Sequence, residues 1–119
     1  MKYKLTKTEE RLANIIWAKE PISSPELVKI CNREFKWKKS TTYTMLRRLE
    51  DKRIFINEKS IIKSLIDREG FYAARSQAFV HEVFEGSLPG FLTAFTRNRK
   101  LRPKEIEDLQ KLIDRHREG

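Results

Sequence analysis

The sequence predicts a mainly α-helical fold with one small β-hairpin, and three observations carry that expectation. Residues 6–50 resolve into three short amphipathic stretches with brief breaks between them. The pattern then changes over residues 54–66 to two β-rich runs around a tight polar turn. From Asp67 the helical period returns and continues towards the C-terminus. Three close-set helices with a hairpin packed on them make a winged helix-turn-helix, expected over residues 1–69. Residues 70–119 are expected to form a helical dimerisation segment.

The first helix is expected to begin at Thr6, because Thr6-Lys-Thr-Glu9 has the spacing of a capping box. Leu12, Ile15 and Ile16 follow at intervals that define one buried stripe. Glu20-Pro21 ends it, since proline disfavours helix in the residue before it. Ser23-Ser24-Pro25-Glu26 opens the second helix with a hydroxyl cap, a proline at the first helical position and an acid near the positive end of the dipole. Leu27, Ile30 and Cys31 face inward. A short connection at Phe35 and Trp37 leads to a third helix, capped by Ser40 or Thr41, with Thr42, Met45, Leu46 and Leu49 on one face.

Ile54-Phe55-Ile56-Asn57-Glu58 and Ile61-Ile62-Lys63-Ser64-Leu65-Ile66 form the hairpin around Lys59-Ser60. Lys-Ser is a poor two-residue turn, because Asn-Gly or Asp-Gly tolerates positive φ better. Two strands alone are marginal in water, so the hairpin must pack on the helices. Beyond it, Phe71, Ala74, Ala78, Phe79 and Val83 make an apolar stripe that ends near Gly86. Residues 87–96 form a short apolar helix with Leu88, Phe91, Leu92 and Phe95. After the basic loop Arg97–Arg102, Pro103 opens a last helix with Ile106, Leu109, Leu112 and Ile113 inward.

These last fifty residues have little room for a core of their own. They either fold back on the first three helices or pair isologously with a second copy, and surface-to-volume reasoning favours the pair. The expected homodimer interface is Phe79, Val83, Phe84, Leu88, Phe91, Leu92, Phe95, Leu109, Leu112 and Ile113.

The net charge of +9 is unevenly placed: residues 1–69 hold 17 Lys and Arg against 10 Asp and Glu, whereas residues 70–119 hold 9 against 7. A basic front half suits a polyanion, with nucleic acid ahead of an anionic membrane. Cys31 is the only cysteine, so no intramolecular disulfide forms, which suits a reducing cytosol. No apolar run reaches membrane-spanning length, and MKYKLTKTEER lacks a signal-peptide core, so a cytoplasmic protein is expected. Enzyme chemistry is not expected. His81 and His116 lie far apart, Cys31 has no metal-ligand neighbour, and four scattered glycines make no phosphate loop, so neither cofactor nor metal is implied.

The informative stretch is Trp37-Lys38-Lys39-Ser40-Thr41-Thr42-Tyr43-Thr44-Met45-Leu46-Arg47-Arg48-Leu49. With Thr42, Leu46 and Leu49 buried, the opposite face presents Lys39, Ser40, Tyr43, Thr44 and Arg47. These side chains suit phosphates and base edges at the front of a helix lying in a major groove. The plainer alternative is a solvated helix with basic content. Lys59 and Lys63 on the hairpin either touch flanking phosphate or protect an edge from aggregation.

The pattern Trp37-x-x-x-Thr41-x-x-Thr44-x-Leu46-x-Arg48-Leu49, followed by Lys52, resembles the recognition-helix signature of the penicillinase-repressor family. Those winged-helix repressors control β-lactamase and methicillin-resistance genes, with copper-transport repressors as relatives. Leu5-Thr6…Glu9…Ile15-Ile16-Trp17 is similar to the family's first helix. Ile66-Asp67-Arg68-Glu69…Phe79-Val80…Phe84-x-Gly86-Ser87-Leu88…Phe95 resembles its dimerisation segment, so the likeness runs over about residues 5–115.

The resemblance implies a homodimer whose winged helices each read one half-site of palindromic double-stranded operator DNA. It places Lys39, Thr41, Tyr43, Thr44 and Arg48 at DNA-facing positions, although relatives usually carry a basic residue where Tyr43 stands. The hairpin is shorter than in the best-known relatives and lacks their glycine turn and following tyrosine. The resemblance also implies relief by a sensor-activated protease that cuts before a phenylalanine, here at Ala94–Phe95, where relatives often have Asn. Copper-sensing relatives carry Cys-x-Cys pairs near the C-terminus, which this chain lacks. The rival from another class is a dimeric winged-helix protein-interaction module without operator specificity.

Overall fold

In the computed structural model, which describes residues 3–119, the capping box at Thr6 forms as its spacing predicts. Thr6 Oγ1 accepts from Glu9 N at 3.1 Å, and Glu9 Oε1 accepts from Thr6 N at 2.9 Å. Helix α1 (Lys7–Lys19) stops at Glu20, which is already extended ahead of Pro21. Met1 and Lys2, on which the signal-peptide reading partly rests, lie outside the described residues.

Helix α2 (Ser24–Phe35) is capped by Ser23, whose hydroxyl accepts from Glu26 N at 3.2 Å. It ends on Lys36 in the left-handed region (φ 58°). Helix α3 (Lys39–Asp51) follows after three residues, with Lys38 rather than Ser40 or Thr41 as its N-cap. The expected hydroxyl cap fails because the tight turn at Lys36 brings the chain into helix earlier. Ser40 and Thr41 are therefore helical residues.

Two further points differ from the expected hairpin. Ile22–Ser23 forms a short strand β1, so that β2 (Phe55–Glu58) and β3 (Ile61–Ser64) belong to a three-stranded antiparallel sheet of order β1-β3-β2. Two residues are too few to leave a period-2 signal, and Ile22 is recognisable only by its pairing with Ile62. The Lys59-Ser60 turn does form, with both residues at positive φ (50° and 66°). Ser60 is held there by its carbonyl, which accepts from Ser24 N at 2.8 Å. Helices α4 (Arg68–Phe84), α5 (Leu88–Thr96) and α6 (Pro103–Glu118) complete the chain. The result is a winged helix-turn-helix followed by a helical segment, as predicted.

The chain divides into two compact units, Met1–Phe79 and Val80–Gly119. The first has a dense core in which Leu12, Ile16, Leu27, Leu46, Leu49, Phe55, Ile62 and Phe71 are fully buried. Trp17 lies between Phe55 and Phe71, with ring centroids 5.3 and 5.4 Å away, and its Nε1 donates to the Ile66 carbonyl at 3.0 Å. In the second unit Gly86 (φ +82°) ends α4 by donating to the Val80 carbonyl at 3.0 Å, and Ser87 caps α5. None of residues 80–119 is buried.

Glu9 has a second task that its cap position does not reveal. Its carboxylate, 4% exposed, accepts from Lys52 Nζ at 2.8 Å, and the same ammonium donates to the Lys4 carbonyl at 3.0 Å. Burial pushes the Glu9 pKa up, but the Lys52 ammonium and the Thr6 bonds outweigh it and hold the carboxyl below its ordinary value. Glu10 is also held low, by the Tyr72 hydroxyl and then, against burial, by Arg75. A lowered folded-state pKa stabilises the fold above the unfolded value, and that contribution disappears as pH falls through the folded one. Glu9→Gln keeps an oxygen to accept from Thr6 N but loses the charge facing Lys52. It is expected to cost about 2 kcal/mol at pH 7 through that ion pair, discounted for the partly exposed lysine. In urea unfolding at decreasing pH, the gap between parent and variant should close. A gap independent of pH would show that the carboxylate charge is not what stabilises this corner.

Candidate nucleic-acid interface

Helix α3 is positioned from both ends. At its start, Asn32 Nδ2 donates to the Trp37 carbonyl at 3.1 Å, and Lys36 N and Trp37 N donate to the carbonyls of Asn32 and Cys31. Trp37 packs on Phe35 with centroids 4.7 Å apart, and the Arg11 guanidinium covers the Phe35 ring at 4.5 Å. At its end, Lys52 makes the tie to Glu9 and Lys4. Thr42, Met45, Leu46 and Leu49 are buried, as their spacing predicts.

The opposite face is open. Lys38, Lys39, Ser40, Thr41, Thr44, Arg47 and Arg48 are exposed, and Tyr43 is half-buried with Lys39 Nζ 6.0 Å from its ring centroid. Lys59 and Lys63 are exposed on the turn and on β3. Among the described residues, none of Lys38, Lys39, Arg47, Arg48, Lys59 or Lys63 enters an ion pair, whereas Lys52 and Arg75 do. α3 and its N-cap thus present four cations, Lys38, Lys39, Arg47 and Arg48, that make no ion pair among the described residues, on a helix held by its buried face. Such a surface attracts a polyanion and offers donors to phosphate and base edges.

Cys31 is fully buried, and burial, only partly offset by a hydrogen bond with Thr42, pushes its thiol pKa up. His81 and His116 are exposed on separate helices. Among the described residues no group of His, Cys, Asp and Glu could hold a metal ion, and no helix is long and apolar enough to cross a membrane.

The family described as penicillinase repressor matches the chain over residues 5–115. The chain belongs to the penicillinase repressor family. Its relatives include the penicillinase repressor of Bacillus licheniformis, 24% identical over 117 residues, covering 95% of this chain and 91% of that protein. The methicillin resistance regulatory protein MecI of Mammaliicoccus sciuri is 25% identical over 118 residues, covering 95% of both chains. The penicillinase repressor of Staphylococcus aureus is 25% identical over 114 residues, covering 92% of this chain and 90% of its own. The names of these relatives are those of repressors and a regulatory protein rather than of enzymes, and membership of the family makes this chain a transcriptional regulator by kinship.

The remaining sequence-predicted residues of this family member lie mostly in the second unit. Val83, Leu88, Phe95, Leu112 and Ile113 are exposed, Phe79 at the end of the first unit is 39% exposed, and Phe84, Phe91, Leu92 and Leu109 are half-buried. Phe91 contacts Phe84 and Phe95, at 5.5 and 6.0 Å between centroids. Phe91, Leu92, Phe95, Leu101, Leu109 and Leu112 line an open apolar groove of about 360 Å³. Ala94 and Phe95 occupy the last turn of α5, both exposed. Sequence reasoning missed Asn32 and Glu9 as the residues that brace α3. Neither has a distinctive spacing to its partner, because both act across turns or between helices.

Proposed function

We propose that the chain is a transcriptional repressor that binds double-stranded operator DNA as a homodimer. The observation that carries this reading is the outer face of α3, whose cations are free of ion pairs beside the hydroxyls of Ser40, Thr41 and Thr44. Lys39, Arg47 and Arg48 supply phosphate and guanine contacts, with Lys38, Lys59 and Lys63 as flanking phosphate contacts. The names of the relatives point the same way. The absence of a buried residue across 80–119 supports pairing, since an apolar segment that remains wet in one chain gains most from a second copy. Promoter occlusion in the cytoplasm follows, relieved by cleavage at Ala94–Phe95. A chain that stays intact in its host during induction removes that last step.

The test is fluorescence anisotropy with the chain's own upstream DNA and a scrambled duplex across a salt series. The expected result is tight, sequence-dependent binding by two chains per site, with a log K against log salt slope of about −0.9 per phosphate contact. Lys39→Ala should weaken both duplexes alike and make the slope shallower by roughly one contact per chain. Equal, weak, salt-insensitive binding to both duplexes overturns the reading and favours a protein-docking module.

A further inference from the structure

We propose that Thr44 selects its base through its methyl group, and that the base it selects is thymine. This rests on the reading of α3 as the DNA-facing helix, and it names the chemistry of one position on it. Three hydroxyl side chains lie on the exposed part of that helix: Ser40, Thr41 and Thr44. They are not equivalent. The hydroxyls of Ser40 and Thr41 make no hydrogen bond among the described residues, so each can donate to a phosphate oxygen. Thr44 Oγ1 instead donates to the Ser40 backbone carbonyl at 2.9 Å.

That bond decides what Thr44 offers outward. A threonine hydroxyl has one proton, and here it is used inside the helix. Guanine O6 and N7, adenine N7 and thymine O4 are all acceptors in the major groove, so reading any of them needs a donor that Thr44 no longer has. Its oxygen can still accept from adenine N6 or cytosine N4, and that is the rival the variants below separate from the methyl. The same bond turns the oxygen back along the helix. With the oxygen committed to the Ser40 carbonyl, the γ-methyl is taken as the group that Thr44 presents to the groove. The major-groove feature that a methyl can read is the C5-methyl of thymine. Donors for the acceptor edges are supplied nearby by Arg47 and Arg48, one turn further along α3. The position therefore divides labour: its neighbours hydrogen-bond, and Thr44 makes an apolar contact.

The experiment uses the full chain and the duplex it selects from a random pool. Each thymine of a half-site is replaced in turn by uracil, which lacks only the methyl. Binding is measured for the parent and for Thr44→Val, Thr44→Ser and Thr44→Ala, with circular dichroism to confirm that each variant is folded. Loss of one buried methyl contact is about fourfold in affinity, or roughly fifteenfold when both half-sites lose it. Thr44→Val, which keeps the methyl and discards the hydroxyl, should bind within about twofold of the parent. Thr44→Ser should lose about as much as the uracil duplex does, and at one thymine per half-site all proteins should converge once uracil is present.

If Thr44→Ser binds like the parent while Thr44→Val is weak, the hydroxyl is the reader and the proposal is overturned. It is equally overturned if no uracil position distinguishes the parent from Thr44→Ser. In either case a selected duplex still bound more tightly than a scrambled one leaves the DNA-binding reading standing. Failure to select any duplex removes that reading as well.

Discussion

Phe71→Ala is expected to lower the unfolding free energy by about 3–5 kcal/mol and the Tm by roughly 15 °C or more. Phe71 has no exposed surface. Its ring meets Trp17 at 5.4 Å, Tyr72 at 5.4 Å and Tyr3 at 5.9 Å, so truncation removes an aromatic body from the centre of a cluster. The rings around it come from α1, the N-terminal segment and α4 itself, and cannot all move inward together. A cavity should remain, adding its own cost to the lost transfer energy. The variant also tests the role of α4's first turns, which pack in the same unit as α1–α3. Urea unfolding followed by tryptophan fluorescence reads this through Trp17, with Trp37 contributing to the same transition. A loss below about 1 kcal/mol would mean that the site collapses freely and that the cluster does not hold α4 in place.

Leu112→Asp is expected to leave a single chain almost unchanged yet weaken self-association by roughly 1,000-fold. Leu112 is 42% exposed on α6 and lines the apolar groove with Phe95 and Leu109. In one chain an exposed substitution costs within about 0.5 kcal/mol. In a twofold pair the same leucine is buried twice, at about 2 kcal/mol each, before any penalty for the buried carboxylate. Sedimentation equilibrium of parent and variant measures the difference, with urea unfolding of both as the control. A variant that associates like the parent excludes this face from the dimer interface. Operator affinity should fall together with association, because each half-site is then bound separately.

The sequence made much of the fold legible because its signals are local. Thr6-x-x-Glu9, Ser23 ahead of Pro25, and Pro103 each act within one turn of helix, and each element starts where those residues place it. The buried face of α3 was legible for the same reason, since a helix repeats its inward positions at fixed intervals. What escaped is non-local. Strand β1 exists only because Ile22 meets Ile62, forty residues away in sequence. The turn at Lys59 and Ser60 is tied at Ser60 by Ser24, from another element. Lys36 adopts a left-handed turn that glycine would adopt more readily, and that turn moved the start of α3 ahead of the expected hydroxyl cap. The face of the candidate site was therefore visible in the sequence. The Asn32 and Glu9 braces, and the internal hydrogen bond that sets Thr44 apart from Ser40 and Thr41, emerge only from the folded chain.

Residues 80–119 withdraw none of their side chains fully from water in a single chain. On the pairing proposed above, folding of that segment is tied to protein concentration, because mass action favours whichever state the second copy binds. Gene dosage then enters the repressor's own thermodynamics. Near its dissociation constant, halving the number of chains removes more than half of the complete repressors. A cell dividing faster than it synthesises this protein would relax repression more steeply than dilution alone predicts.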